Sequence, residues 1–261
     1  MTVSKLDQRI PVDAFPIEMA DLAATLNQML NRLQEAFNRL SEFSSDLAHE
    51  LRTPLSNLMT QTQVALSQER SNHEYHEILA SNIEELQRLA QTVSDMLFLA
   101  KAENGLDLPT RKLFSVKDEI AILFEFYNIL AAEKSIVLEF FGNAQVMGDG
   151  PMFRRAISNL LSNAFRFTPN FGKIMVEVES TAKTVTVHVE NTGDNINEKL
   201  LPFLFDRFFR ADKSRPHLSS DGTGLGLSIT RAIVEAHGGK ISVISAQGKT
   251  RFSLLFMRNT P

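Results

Sequence analysis

The sequence predicts an α+β protein in two parts: an N-terminal helical hairpin that dimerises into a four-helix bundle, and a C-terminal α/β sandwich. Three observations carry this. Two long apolar repeats of helical period follow one another with a short polar break between them. Further on, two short segments alternate apolar and polar residues. A glycine-rich loop then leads into one more helix. At 261 residues the chain is long enough for two domains.

Residues 1–40 begin with a loop-like stretch, Arg9 to Pro16, rich in proline. A seam then repeats through Leu22, Leu26, Met29, Leu33, Ala36, Leu40, Phe43 and Leu47, with spacings that alternate between 4 and 3. That is a heptad pattern, the signature of helices packed nearly parallel. The first helix is expected to run to about Gln68. Ser71-Asn72-His73-Glu74 has the form of a capping box that starts a second helix. There Leu79, Ile83, Leu86, Ala90, Val93, Leu97 and Ala100 repeat in the same way. A hairpin of two such helices leaves one apolar face in water, which a second copy would cover. Residues 103–109 break the period and read as a linker.

Beyond the linker the pattern changes. Residues 116–133 read as a helix, 135–141 as a strand and 152–167 as a helix. Ile174, Val176 and Val178 alternate with polar residues, as do Val185, Val187 and Val189, giving two strands joined by a hairpin near Ala182. Residues 226–237 form a helix that Gly238 and Gly239 end. Residues 240–245 and 251–257 supply two more strands. Helices on one face of a mixed sheet complete the sandwich.

Composition excludes several classes. Net charge is −4, which gives no sign of nucleic-acid binding. There is no cysteine, so disulfides and cysteine-zinc sites are ruled out. No apolar run approaches the ~20 residues that span a bilayer.

Three segments have a chemistry that packing alone does not require. Asp46-Leu47-Ala48-His49-Glu50-Leu51-Arg52-Thr53-Pro54 puts a histidine, an acid and a threonine within two helical turns, beside a helix-bending proline. His49 lies two residues past seam position Leu47, so its ring should face solvent. A neutral imidazole is available near neutral pH, and Glu50 can accept a proton from one ring nitrogen. Asn159 and Asn163 lie four apart, on one face of a helix whose other face is core. Gly222-Thr223-Gly224-Leu225-Gly226-Leu227 offers bare backbone N–H groups ahead of a helix N-terminus, which suits an anion. For each there is a plainer alternative: a solvated His–Glu pair, core amides, an ordinary loop. His73 and His76, three apart, could hold a metal weakly.

In this order and spacing the three segments resemble the H box, N box and glycine boxes of a two-component sensor histidine kinase. The resemblance covers residues 10–258. Residues 43–68 and 94–100 resemble the heavy-metal (copper/silver) sensor subfamily. The family implies a partial HAMP-like relay over residues 1–40, although the heptads alone fit a plain coiled coil equally well. It also implies a dimerisation and phosphotransfer domain over 41–103, a linker over 104–111 and a Bergerat-type ATP-binding domain over 112–258. It implies ATP-dependent phosphorylation of His49, with Glu50 as general base, Arg52 supporting phosphoryl charge and Thr53 orienting a water for the reverse, phosphatase step. Asn163 would hold Mg²⁺ and Asn159 would support it. Arg166 would reach phosphate and Phe167 would pack on adenine. Arg207, Phe208 and Arg210 resemble the F box, with residues 212–220 as a lid. Gly222, Thr223, Gly224, Leu225, Gly226 and Leu227 would cradle phosphates, and Thr250 would lie near the base.

One motif departs from the family. Where Asp-x-Gly-x-Gly is expected, the chain has Asn191-Thr192-Gly193-Asp194-Asn195. Asn191 can still accept a hydrogen bond from an exocyclic amine, but without charge assistance. Weaker ATP affinity or looser purine choice would follow. The resemblance further implies a homodimer, a response-regulator receiver domain as partner, and a location as the cytoplasmic portion of an inner-membrane protein. The rival expectations are a Bergerat-fold ATPase that does not phosphorylate histidine, and a non-catalytic dimeric scaffold weakened at Asn191.

Overall fold

The computed structural model describes residues 9–11, 16–103, 109–210 and 224–258. The chain divides into two compact units, Met1–Leu89 and Ala90–Pro261. In the first, helix α1 (Ile17–Leu66) is a single rod of 50 residues that continues through Pro54, about 75 Å long at 1.5 Å per residue. Asn27 fastens the segment ahead of it. Its amide donates to the Ile10 carbonyl and accepts from the Ile10 N–H, both at 2.9 Å. Arg9 donates to Asn31 and Gln34 on the same face of α1.

Helix α2 (Asn72–Glu103) opens with the expected capping box. The Ser71 N–H donates to Glu74 Oε2 at 2.8 Å, and the Glu74 N–H donates to Ser71 Oγ at 3.3 Å. Glu74 is correspondingly held below its ordinary value by Ser71. The seam residues Leu22, Leu26, Met29 and Leu33 on α1, and Leu79, Ile83 and Leu86 on α2, are all exposed in the single chain.

From Ala90 onward α2 belongs to the second unit. There Met96 and Leu99 are buried. Asp95 pairs with Arg155, whose guanidinium also lies 4.5 Å from the centre of the Phe98 ring. Strand β1 (Lys112–Ser115) leads into helix α3 (Val116–Lys134), capped by Ser115 Oγ accepting from the Asp118 N–H. Ser135 ends that helix in the left-handed region, φ 54°, so strand β2 (Val137–Phe141) starts two residues later than the sequence pattern suggests. Strand β3 (Gln145–Gly148) pairs with β1 in a small antiparallel sheet. The sequence reading leaves out both strands because each is four residues long.

Helix α4 (Gly150–Phe167) is capped by Asp149, which accepts from the Met152 N–H, with Pro151 in its first turn. Strands β4 (Lys173–Ser180) and β5 (Thr184–Thr192) form the expected hairpin. Helix α5 (Gly226–Ala236), strand β6 (Lys240–Ala246) and strand β7 (Lys249–Met257) complete the unit. The main sheet has the order β2-β4-β5-β7-β6, parallel at β2–β4 and antiparallel elsewhere.

The core lies between the inner sheet face and the three helices. Ile120, Phe153, Ile157, Leu160, Leu161, Ile229 and Ile233 meet Ile174, Val176, Val185, Val187, Leu254 and Phe256 there. His237 pins two of these elements together. Its Nε2 accepts from the Asp149 N–H at 2.9 Å, and its Nδ1 donates to the Ile233 carbonyl at 2.7 Å. That pattern needs the neutral ring with its proton on Nδ1.

On the outer sheet face Glu190 of β5 bridges Lys249 and Arg251 of β7, at 2.9 and 2.7 Å. Burial works against this carboxylate, but the hydrogen bonds from Lys249 and Arg251 outweigh it and hold the group below its ordinary value. A carboxylate depressed in the folded state adds stability above its unfolded value and loses it as pH falls through its folded value. The melting temperature should therefore drop through the acid range. Glu190→Gln should cost about 1 kcal/mol at neutral pH and flatten that drop in thermal melts followed by circular dichroism. An unchanged acid slope in the variant would dismiss the clamp.

Candidate nucleotide site and phospho-acceptor segment

In the first unit His49 is exposed on α1, as its offset from the seam requires, while Leu47 and Leu51 on either side are half-buried. Glu50 is half-buried. Arg52 and Thr53 are exposed one turn further on. The helix therefore presents a histidine, a cation and a hydroxyl to solvent on one side. Among the described residues no group of three or more histidines and acids could hold a metal. His73 instead lies 3.6 Å from Glu77, one turn away on the same helix.

The second unit brings most of the remaining candidates together. Helix α4 buries Phe153, Ile157, Leu160, Leu161 and Ala164, which turns the row Arg155, Asn159, Asn163 to its edge. Asn159 Nδ2 donates to the Gly226 carbonyl at 3.0 Å. That bond ties α4 to the first residue of α5. Helix α5 has no side-chain cap, so its first N–H groups are available to an anion. Leu225 ahead of it is fully buried and holds the turn in place, and Leu227 is half-buried. Asn163 is half-buried at the end of the row, where its carbonyl is a hard oxygen of the kind Mg²⁺ takes alongside phosphate and water. Arg166 sits 5.4 Å from the centre of the Phe167 ring, and that ring is 62% exposed.

The floor of this region is a break in the alternation of the sheet. One cross-strand row runs Ile174, Asn191, Thr250, Ser245 over β4, β5, β7 and β6. Three of its four side chains are polar, and all three are buried. Asn191 Nδ2 donates to the Thr192 carbonyl at 3.2 Å. Ser245 Oγ accepts from the Ile196 N–H at 2.8 Å and lies 2.8 Å from Thr250 Oγ1.

Gly193 passes so close to α4 that a Cβ there would stand 2.6 Å from the Phe167 carbonyl. Its N–H donates to the Gly248 carbonyl, and the Gly248 N–H donates to Asn195 Oδ1, both at 2.9 Å. The second motif glycine is thus replaced by an asparagine whose side chain laces the strap 193–196 to the β6–β7 turn. Sequence reasoning missed this role of Asn195, and it missed Ser245. A hydroxyl at the buried phase of β6, after Ile241 and Val243, was the available signal.

The F-box segment closes the region on another side. A 3-10 turn, Glu198–Phe203, precedes it. Leu204 is buried, Phe205 meets Phe252 edge-on at 6.3 Å, and Asp206 lies 3.8 Å from Arg231. The Phe208 N–H donates to the Gly224 carbonyl at 3.1 Å. Gly224, at φ +71°, has no room for a side chain, since a Cβ would stand 2.8 Å from the Phe208 backbone. The two ends of the segment between them are therefore pinned together. Arg207 is half-buried and Arg210 exposed. Gly222, Thr223 and the expected lid over 212–220 lie outside the described residues.

Three family models match the chain: "Histidine kinase-, DNA gyrase B-, and HSP90-like ATPase" over residues 148–260, "His Kinase A (phospho-acceptor) domain" over 39–105, and "HAMP domain" over 3–42. Sensor histidine kinase CusS of Escherichia coli K12 is 46% identical over 253 residues, covering 97% of this chain and 52% of that protein. The chain thus spans about half the length of the curated relatives it matches. The solved Acinetobacter baumannii histidine kinase AdeS shares the fold, with TM-score 0.67 at 22% identity over 81% of this chain and 98% of that one. So does histidine kinase ThkA in complex with response regulator protein TrrA, with TM-score 0.70 at 23% identity over 87% of this chain and 64% of that one. The α+β architecture, the ordered boxes and these relatives place the chain in the two-component sensor histidine kinase family.

Proposed function

We propose that the chain is the catalytic core of a dimeric sensor histidine kinase that uses ATP·Mg²⁺ to phosphorylate His49 and passes the phosphoryl group to an aspartate of a response-regulator receiver domain. The observation that carries this is the Asn159–Gly226 bond. It ties the amide row of α4 to the uncapped N-terminus of α5. An amide row beside an uncapped helix N-terminus supports a site for phosphates with their metal.

The domains would be a HAMP-like relay over 1–40, a dimerisation and phosphotransfer domain over 41–103, a linker over 104–111 and an ATP-binding domain over 112–258. Asn191 and Thr250 face the adenine, with Phe167 against its ring. The N–H groups of Gly222 to Leu227 hold the phosphates, helped by Arg166, Arg207 and Arg210. Mg²⁺ on Asn163 would neutralise phosphate charge. A ring nitrogen of His49 attacks the γ-phosphorus, the bond to ADP breaks, and Glu50 takes the ring proton. Catalysis is then mostly positioning and charge neutralisation. Arg52 supports the phosphoryl charge. Thr53 orients the water that dephosphorylates the regulator. A second copy covers the exposed seam as a four-helix bundle. A sensor region outside this chain, in the inner membrane, supplies the stimulus. A heavy metal fits the subfamily that residues 43–68 resemble.

Incorporation of labelled γ-phosphate tests the assignment. Wild type should take up acid-labile, base-stable label, and His49→Gln none, with ADP affinity unchanged. Label persisting in His49→Gln would discard it, and ATP hydrolysis without label would favour the plain ATPase. Asn163→Ala should abolish labelling while nucleotide binding without Mg²⁺ persists. Gly224→Ala should weaken ATP by about tenfold, equivalent to 1.4 kcal/mol, because it separates the two ends of the lid. Equilibrium titration would show this, and wild-type affinity would release Gly224 from the role.

A further inference from the structure

We propose that Ser245 is a specificity-determining residue: it fixes the direction of a hydrogen-bond relay that makes the base site of this chain accept a 6-amino purine and reject a 6-oxo purine. The inference rests on the assignment of Asn191 and Thr250 to the base, and adds how a site without a carboxylate can still choose.

The relay starts at the backbone. Ser245 Oγ accepts from the Ile196 N–H at 2.8 Å. The hydroxyl is buried, so its own proton needs an acceptor. Thr250 Oγ1, 2.8 Å away, is the acceptor in contact with it. If Thr250 donated to Ser245 instead, the Ser245 proton would be left unpaired in a buried place. The order is therefore Ile196 N–H to Ser245, and Ser245 O–H to Thr250. The Thr250 proton is then free to point away from Ser245, toward its neighbour in the row. That neighbour is Asn191, the register partner of Thr250 on β5.

Asn191 carries the opposite polarity. Its Nδ2 donates to the Thr192 carbonyl at 3.2 Å. Turning the amide over would set its oxygen against that carbonyl, acceptor against acceptor. Asn191 is 6% exposed and its Nδ2 is the amide atom on the side of Gly193; with Nδ2 engaged by the Thr192 carbonyl, Oδ1 is the atom left for a ligand. The floor thus presents an acceptor at Asn191 and a donor at Thr250.

Adenine presents a donor at its C6 amine and an acceptor at N1. Hypoxanthine and guanine present the reverse. Either of the latter would place two acceptors at Asn191 and two donors at Thr250, leaving buried polar groups unpaired, and a mismatch of that kind discriminates strongly. In this way a neutral amide and a hydroxyl do what a carboxylate does elsewhere by charge.

The experiment measures the affinity of the whole chain for ATP, inosine triphosphate and 1-deaza-ATP, by calorimetric titration. Wild type should bind 1-deaza-ATP about tenfold more weakly than ATP, the cost of one unpaired donor, and inosine triphosphate more weakly still. Equal binding of ATP and 1-deaza-ATP would overturn the proposal without any variant. Ser245→Ala should lower ATP affinity by about tenfold and leave inosine triphosphate unchanged, so the preference shrinks. Ser245→Thr, which keeps the hydroxyl, should retain it. Thr250→Val should shrink the preference to the same extent, and adding Ser245→Ala to Thr250→Val should change nothing more. An unchanged preference in Ser245→Ala, or additive effects in the double variant, sinks the relay. Asn191→Leu separates the two levels. If it binds ATP as wild type does, the base is not read here and the underlying site assignment fails. If it weakens ATP while Ser245→Ala does not, only the relay fails.

Discussion

The packing of α4 is the constraint on which the candidate nucleotide site depends. Its eighteen residues bury Phe153, Ala156, Ile157, Leu160, Leu161, Ala164 and Phe165 against the sheet. At 3.6 residues per turn this leaves a narrow edge for Arg155, Asn159 and Asn163. A shift of one residue would rotate the helix by about 100° and drive the amides into the core, where an unpaired amide costs several kcal/mol. The apolar stripe therefore aims the polar row. Once it is aimed, Asn159 reaches the Gly226 carbonyl and sets the start of α5. Apolar packing in one layer thus determines where two sets of backbone and side-chain groups converge.

The sheet contributes through one exception to its own rule. Along β5 the buried phase is Val185, Val187, Val189 and then Asn191; along β7 it is Phe256, Leu254, Phe252 and then Thr250. The last step of each strand, and Ser245 of β6, become polar in the same cross-strand row. Buried polar groups survive only when they are hydrogen-bonded, and each of these three is engaged by a backbone or hydroxyl neighbour. The strap 193–196 provides that support by running back over the β6–β7 turn, held by Gly193, Asn195 and Ile196. Asn195, where the motif expects glycine, adds a side-chain bond to this lacing.

Elements of strong period were legible in the sequence: both long helices, the Ser71–Glu74 box, and the β4–β5 hairpin all stand where period and capping chemistry put them. Beyond them legibility stops where local signals are short or where partners are distant in sequence. Strands β1 and β3 are four residues each, too short for alternation to show. Ser135 looked like the first residue of a strand because its left-handed turn leaves no mark in composition. Nothing near His237 in the sequence marks it as a tie between helices, and only the fold reveals Asp149, 88 residues away, as its donor. The amide pair of α4, the Asn191 motif and the glycine-rich loop supplied the candidates, but Ser245 and Asn195 find their partners through strands that meet only in the folded sheet.

The phospho-acceptor side poses a different physical problem. A hairpin whose seam leaves Leu22 at 68% and Ile83 at 55% exposure holds more apolar surface in water than a lone helix pair sustains. The heptad spacing says what shape would cover it: another helix running nearly parallel, hence another copy of the same hairpin. The seam and His49 lie on one uninterrupted rod, α1, so whatever fixes the seam also fixes the direction in which the imidazole points. The segment Arg9 to Pro11 is fastened to that rod through Asn27, Asn31 and Gln34. A displacement arriving at this clasp has no loop to absorb it before His49. Pro54, five residues beyond the histidine, is the first place where α1 lacks a backbone donor and can yield. Rigid helix ahead of His49, and a weak point just after it, would let movement at one end change the exposure of that histidine without unfolding the rod.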